Sequence, residues 1–78
     1  MKILPSAHRH GATDIDIAHA WKYYITDFYE GYRPTKVLRL GWDTNGRLLE
    51  IGATICGQAV TVFHAMRARK LYIERIGS

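Results

Sequence analysis

The spacing of apolar residues predicts that the first third of the chain is helical. One stripe of four apolar residues has the period of a helix face: Ile17, Trp21, Tyr24 and Ile25. It predicts an amphipathic helix over residues 14–24, with Thr13 as its N-cap. Residues 5–10 precede this helix as a single helical turn, which Gly11 closes because glycine suits a left-handed helix end.

Three later segments have the alternating pattern of strands: residues 36–42, 47–56 and 59–65. In the first of them, Leu38, Leu40 and Trp42 share one face. The Asn45-Gly46 pair favours a tight hairpin turn, and Gly57-Gln58 favours a second one. Consecutive strands joined by such short turns predict a three-stranded antiparallel meander.

The remaining segments complete the predicted fold. Residues 26–34 are polar and aromatic and end in a proline, so we expect a loop there. Residues 69–75 fit a short C-terminal helix, and residues 1–4 fit either a leading strand or a tail. The predicted class is therefore α+β, with N-terminal helices, a three-stranded antiparallel β-meander and a short C-terminal helix, in a single domain over residues 1–78.

Composition limits the classes of protein to which the chain can belong. Its 78 residues are 47% hydrophobic, which is enough for one small core. The longest uncharged run, residues 51–66, is too short and too polar for a membrane span, and the N-terminus has no apolar signal region. We therefore expect a cytoplasmic protein with no membrane partner. The single cysteine, Cys56, excludes an internal disulfide and is predicted to be a buried thiol.

The charge of the chain predicts an anionic partner. The formal net charge is +4 at pH 7, which favours nucleic acid or an acidic protein. No spacing of His, Cys or carboxylate residues completes a metal site, and no glycine-rich loop precedes a helix. We therefore expect neither a metal nor a cofactor.

Groups that suit RNA cleavage gather where the third predicted strand meets the C-terminal helix. Cleavage through the 2′-hydroxyl requires a base, an acid and cations beside the phosphate. The predicted catalytic residues there are His64 as base, Tyr72 as its partner and the phosphate-binding pair Arg67 and Arg69. Further RNA contacts are predicted at three cations: Arg39, Arg47 and Lys70.

Each of these residues also has a purely structural interpretation. Strand alternation puts His64 on one face with Val60, Val62 and Met66, so a hydrogen-bonded core or edge histidine is as good an explanation as a base. Tyr72 fits a ring packed on the sheet with its hydroxyl in water. The cations near the C-terminus, Arg67, Arg69 and Lys70, equally fit a solvated helix with ordinary surface ion pairs.

Two parts of the chain resemble a known family. Residues 7–20 read AHRHGATDIDIAHA, whereas residues 46–52 read GRLLEIG and residues 62–72 read VFHAMRARKLY. The first part resembles the His-Gly helix entry of BrnT-like toxins, which belong to the wider RelE/ParE superfamily. The second is similar to the hairpin and His-Ala-Met ending of the short BrnT-like proteins. The chain lacks the leading hairpin with a Trp-Asp start that longer BrnT proteins have.

The resemblance implies a bacterial type II toxin with a compact RelE-like fold. Such a toxin is a metal-independent ribonuclease that cleaves mRNA to inhibit translation and is neutralised by a cognate antitoxin. The matched positions imply functional roles for His10, Arg67, Arg69 and Tyr72, with His64 next to them. The alternative is a non-catalytic module of the same fold that binds RNA or protein.

Overall fold

A computed structural model, which describes residues 1–77, has a five-stranded mixed sheet with one longer helix on one face. The elements in chain order are β1 (Lys2–Ile3), a 3₁₀ turn (Pro5–His8), α1 (Asp14–Lys22), β2 (Tyr24–Tyr32), β3 (Thr35–Trp42), β4 (Leu48–Cys56), β5 (Ala59–Arg67) and α2 (Lys70–Ile73). The sheet order is β1-β5-β4-β3-β2. β1 is parallel to β5, and β2 to β5 pair antiparallel in sequence.

The predicted α+β fold, with N-terminal helices and a three-stranded meander, is therefore wrong. The protein is mostly β, with α1 its one helix of more than a single turn among the described residues. The nine-residue strand β2 lies where a loop was predicted. Its tyrosines, phenylalanine and threonine favour extended backbone, and its polar Asp27 is bound by Arg39 on β3 at 2.7 Å instead of facing water. β1 adds the parallel strand at the other edge.

The helix α1 begins as predicted and ends two residues early. Thr13 is the N-cap, and its Oγ1 accepts a hydrogen bond from the backbone N–H of Asp16 at 3.1 Å. The helix ends at Lys22, and the last two apolar residues of the predicted stripe, Tyr24 and Ile25, lie exposed in β2. The stripe fails there because these residues already belong to a strand, whose period is two.

The main core lies between α1 and the sheet. Its buried members come from the 3₁₀ turn, from α1 and from β3, β4 and β5: Ala7, Ile17, Ala20, Val37, Leu49, Ile51, Ala53, Val62 and Ala65. α1 comes closest to the sheet at Gly41, where an added Cβ would lie 1.8 Å from the carbonyl oxygen of Ala20. This contact fixes the height of the helix above β3, because no larger residue fits between them.

The two hairpin connections lie where the sequence predicted them, although the first is not a tight turn. Gly57 has a φ of +59° in the two-residue turn between β4 and β5. The β3–β4 connection covers residues 43–47 and is therefore longer than the predicted tight Asn-Gly turn. Such a turn requires positive φ at both central residues, and here Gly46 has positive φ whereas Asn45 does not. There the buried Asp43 carboxylate accepts hydrogen bonds from the backbone N–H groups of Asn45 and Arg47, each at 2.8 Å. Asp43 therefore shapes the loop.

Two boundary predictions near the C-terminus and one burial prediction are wrong. β5 continues to Arg67, two residues beyond its predicted end, and α2 covers only Lys70–Ile73. Cys56, expected to be buried, is exposed because it ends β4 beside the turn. No helix within residues 1–77 is long and apolar enough to cross a membrane.

The opposite face of the sheet is covered only in part. Leu38, Leu40 and Glu50 are buried there, and they alternate with the residues that face α1. The chain after β5 folds over this face, where the ring of Tyr72 in α2 stacks on Phe28 of β2 with 6.1 Å between centroids. The uncovered remainder of this face is a cleft.

Candidate functional site

An open cleft of about 300 Å³ lies on the sheet face opposite α1. It is called the His64 cleft here, and its walls carry eight polar or charged residues: Ser6, Arg9, His10, Glu30, Lys36, His64, Arg69 and Tyr72. Leu38, Gly52 and Phe63 form the apolar remainder of its lining. Gly52 is central to its shape, because an added Cβ there would lie 3.0 Å from the Phe63 ring. The cleft therefore combines an aromatic floor with a mostly cationic rim.

A bulge in β5 turns His64 toward the cleft. In the ladder between β4 and β5, Ala53 pairs with Val62 and Gly52 pairs with His64, so Phe63 is an extra residue. Such a bulge shifts the alternation of all following side chains and re-aims one of them. As a result Val62 faces the core under α1, whereas His64 faces the other side. The prediction that His64 shares a face with Val62 is therefore wrong.

The buried Glu50 carboxylate connects His64 to Arg69. Its Oε2 lies 2.9 Å from the Nε2 of His64 and accepts a hydrogen bond from the Nη2 of Arg69 at 2.9 Å. Its Oε1 accepts two more from Arg69, from the backbone N–H at 2.9 Å and from Nε at 3.0 Å. Glu50 is 0% exposed, while the side chains of His64 and Arg69 are 26% and 48% exposed. The buried carboxylate of Glu50 therefore holds two residues that line the cleft, His64 and Arg69.

These contacts determine the protonation state of Glu50. Burial raises the pKa of its carboxyl, but the hydrogen bonds from the Arg69 side chain and backbone and from His64 together lower it more, so the pKa lies below its ordinary value of 4.5. The same interaction raises the pKa of the Arg69 guanidinium. Glu50 is therefore an anion at neutral pH, and an anion only accepts hydrogen bonds.

The anion in turn fixes the tautomer of His64. Because Glu50 can only accept, the proton of a neutral His64 ring lies on Nε2, an assignment that follows from the hydrogen-bond network. Nδ1 of His64 has no hydrogen-bond partner within residues 1–77. Its lone pair is therefore free to accept a proton. A carboxylate behind a histidine orients the ring and stabilises its charged form in this way.

The segment before α1 brings a second imidazole to the same cleft. The 3₁₀ turn and the residue before it are attached to β5 by two hydrogen bonds, from the Ser6 hydroxyl to the Phe63 carbonyl at 2.7 Å and from the Leu4 N–H to the Val62 carbonyl at 2.9 Å. The ring of His10 consequently lies edge-on to that of His64, with 5.9 Å between centroids. Two histidines that differ in their surroundings thus share one cleft.

Four of the five predicted catalytic residues meet in the His64 cleft, namely His10, His64, Arg69 and Tyr72. Arg69 also lies 5.4 Å from the centre of the Tyr72 ring. Arg67 lies elsewhere, because it still belongs to β5 and lines a smaller neighbouring cavity of about 130 Å³. Arg67 and Arg69 were expected to form one phosphate site, and the structure separates them. His10 lines both cavities.

The three cations predicted to contact RNA do not line the His64 cleft. Arg39 lies between the rings of Trp21 and Tyr24, at 3.7 Å from each centroid, and its charge is bound by Asp27. Arg47 lines the smaller cavity and lies 3.4 Å from the Asp43 carboxylate. Lys70 lies 3.6 Å from Glu74 on the surface of α2. Lys36 and Arg9, which were not singled out from the sequence, line the cleft instead.

The residue that sequence reasoning missed is Glu50. The signal was present, because Glu50 interrupts an apolar strand between Leu49 and Ile51, and a lone charge there implies a buried partner. Its partners are 14 and 19 residues away in sequence, so only the strand pairing reveals them.

Comparisons of the chain with protein-family models, with curated proteins and with solved structures found no match. The BrnT-like resemblance therefore stays a prediction. No group of three or more His, Cys, Asp or Glu side chains in residues 1–77 could hold a metal ion.

Proposed function

We propose that the protein is an endoribonuclease that cleaves single-stranded RNA in the His64 cleft. The observation that carries the proposal is the hydrogen-bonded series Arg69–Glu50–His64, which leaves the Nδ1 of an oriented histidine beside a cationic cleft. A general base needs a free, directed lone pair of this kind. A surface histidine without the buried carboxylate would lack this orientation.

The proposed reaction is attack of a 2′-hydroxyl on the adjacent phosphorus. His64 Nδ1 takes the 2′-hydroxyl proton as the bond between O2′ and phosphorus forms. The bond from phosphorus to O5′ breaks, and an acid protonates the leaving oxygen. The products are a 2′,3′-cyclic phosphate and a 5′-hydroxyl. His10 is the better candidate for the acid, because its ring is 5.9 Å from His64, whereas Tyr72 is stacked on Phe28.

Cations in the cleft would stabilise the charge that develops on the phosphate. Arg69 uses Nε and Nη2 for Glu50, and its half-exposed guanidinium still carries donors for a phosphate oxygen. Lys36 and Arg9 extend the positive rim. Single-stranded RNA fits such a groove because its backbone follows the cations while its bases meet aromatic side chains.

The role of the enzyme as a toxin rests on the resemblance of residues 7–20, 46–52 and 62–72 to BrnT-like toxins. On this proposal the protein is a cytoplasmic type II toxin that degrades mRNA, and a cognate antitoxin neutralises it. His10, His64, Arg69 and Tyr72 lie both in these segments and in the His64 cleft.

The alternative is a module that binds a protein without catalysis. It is favoured by the exposed apolar side chains on and beside the edge strand β2: Tyr23, Tyr24, Ile25, Tyr29 and Tyr32. An edge strand with exposed aromatic residues suits the addition of a strand from a partner.

Analysis of RNA ends separates the two functions. Purified protein is incubated with a single-stranded oligoribonucleotide and with a copy carrying one 2′-deoxy nucleotide at the cleaved position. The proposal predicts fragments that end in 2′,3′-cyclic phosphate from the first substrate and none from the second at that position. Intact RNA after long incubation with folded protein contradicts catalysis. For the toxin role, expression in a bacterium should arrest growth, and co-expression of the adjacent gene should restore it.

A further inference from the structure

One carboxylate in the His64 cleft is unexplained by phosphate binding. Glu30 lines the cleft together with Arg9, Lys36 and Arg69, yet it makes no ion pair or hydrogen bond within residues 1–77. An anion in the lining of the cleft repels the phosphates of RNA bound there. Its place in a cleft for RNA therefore calls for a part of the substrate that presents hydrogen-bond donors.

Glu30 lies on the cleft side of β2. In the ladder between β2 and β3, Tyr29 pairs with Val37 and Gly31 pairs with Lys36, so Glu30 is the extra residue. Tyr29 is on the α1 side of the sheet with the buried Val37, while Glu30 lines the cleft on the other side. Glu30 alternates with Tyr29 and therefore faces the cleft side, and as the extra residue of a bulge it has no paired residue on β3.

The neighbouring side chains form a platform for a planar group. The ring of Phe63 packs over Gly52, and the Nζ of Lys36 lies 5.3 Å from the centre of this ring. Lys36 is also opposite Gly31 in the ladder, one residue from Glu30. An aromatic ring, a carboxylate and an ammonium group thus border one end of the cleft. Aromatic rings in RNA-binding grooves stack on bases, and adjacent polar groups read the base edges.

We propose that Glu30, Phe63 and Lys36 form a subsite that selects guanine in single-stranded RNA. Guanine alone among the four bases presents two adjacent donors, N1–H and the N2 amino group, which match the two oxygens of a carboxylate. Beside them lies the O6 acceptor, which suits Lys36. Adenine and cytosine place an acceptor nitrogen next to their amino group, and uracil has a single donor between two acceptors. The subsite deepens the proposed function and rests on it.

Binding of uncleavable oligonucleotides tests the subsite separately from catalysis. Five-nucleotide RNAs with 2′-O-methyl groups throughout carry G, inosine, A, C or U at one position, and fluorescence anisotropy measures their dissociation constants. Wild-type protein should bind the G oligonucleotide roughly tenfold more tightly than those with A, C or U, the scale of one bidentate base contact. Inosine, which lacks the N2 amino group, should lose part of this preference.

Two variants with the same loss of charge locate the effect. Glu30→Gln should abolish the guanine preference, because an amide has one acceptor and one donor group. Glu74→Gln removes the same charge at the end of α2, outside the lining of the cleft, and should keep the preference. Phe63→Leu should weaken binding of every base by about fivefold or more, through lost stacking.

The outcomes distinguish the subsite from the proposed function. Equal binding of all five oligonucleotides overturns guanine selection and leaves RNA binding intact. An equal gain in affinity for every oligonucleotide in Glu30→Gln also overturns it, because Glu30 would then only repel phosphate. If no oligonucleotide binds, the ribonuclease proposal fails together with the subsite.

Discussion

Replacing Glu50 by glutamine tests the buried charge while it keeps the shape of the side chain. Glu50 accepts four hydrogen bonds from His64 and Arg69. Glutamine keeps one acceptor oxygen but presents an NH₂ group to donors on the other side. Each lost hydrogen bond to a buried charge costs roughly 1.5–3 kcal/mol, and Arg69 is half-exposed and can turn to water. The free energy of unfolding should therefore fall by about 2–4 kcal/mol.

The loss should be visible in both stability and activity. For a domain of this size, about 4–8 °C in Tm corresponds to 1 kcal/mol, so calorimetry should find a Tm lower by about 8–32 °C. RNA cleavage, measured well below that Tm, should fall by about 10²-fold, the scale of a lost acid–base group. The physical reason is that Nε2–H of His64 loses its acceptor, so the ring is no longer held in one tautomer.

Asp27→Asn is the matched control, because Asp27 also binds an arginine with two hydrogen bonds, at 2.7 and 2.9 Å. Its partner Arg39 lies on the α1 side, away from the His64 cleft. Asp27→Asn should lower Tm and leave the cleavage rate of the folded protein unchanged. A fully active Glu50→Gln, or an equal loss of activity in Asp27→Asn, would refute the role of Glu50.

Three further predictions concern pH, packing and salt. The pKa of Glu50 lies below its unfolded value of 4.5, so its stabilising contribution is present above pH 4.5 and is lost as the pH falls through the folded pKa. The Tm of the wild-type protein should therefore fall more steeply with acid than the Tm of Glu50→Gln. Parallel curves of Tm against pH would contradict this. Gly41→Ala should lower the free energy of unfolding in urea by about 3 kcal/mol or more, because its Cβ would clash with Ala20. Gly31→Ala should be tolerated, because its Cβ would lie 3.7 Å from the Cβ of Lys36. Equal effects of the two substitutions would disprove the close contact between the helix and β3. Binding of single-stranded RNA should weaken with salt at a log–log slope of about −2 to −3, and a slope near zero would mean that the cations serve another partner.

The sequence was sufficient for features that depend on local chemistry. Thr13 was recognisable as an N-cap and Gly57 as part of a tight turn, because each satisfies a requirement of its own backbone. The alternation of Leu38 and Leu40 with Val37 also placed β3 correctly. In contrast, β2 was missed because polar residues in a strand look like a loop until their partners on the next strand are known, as with Asp27 and Arg39.

The direction of His64 depends on a bulge that no local pattern marks. Phe63 is the extra residue in β5 that moves His64 across the sheet. A shift of one residue reverses the face of every later side chain. Simple alternation therefore assigned His64 to the wrong face and could not connect it with Glu50. Residue types nevertheless singled out His64, Arg69 and Tyr72, and the BrnT-like resemblance added His10; all four line one cleft.

The most direct test of the central claim compares His64→Gln with His19→Gln in single-turnover cleavage and in RNA binding. His64 is bound to Glu50 in the cleft, whereas His19 lies on α1 with its Nδ1 near the Trp42 carbonyl. His64→Gln should keep the RNA dissociation constant within a few fold and lower the cleavage rate by about 10²-fold or more, while His19→Gln should keep both. Cleavage by folded His64→Gln at the wild-type rate would contradict the assignment of His64 as the base.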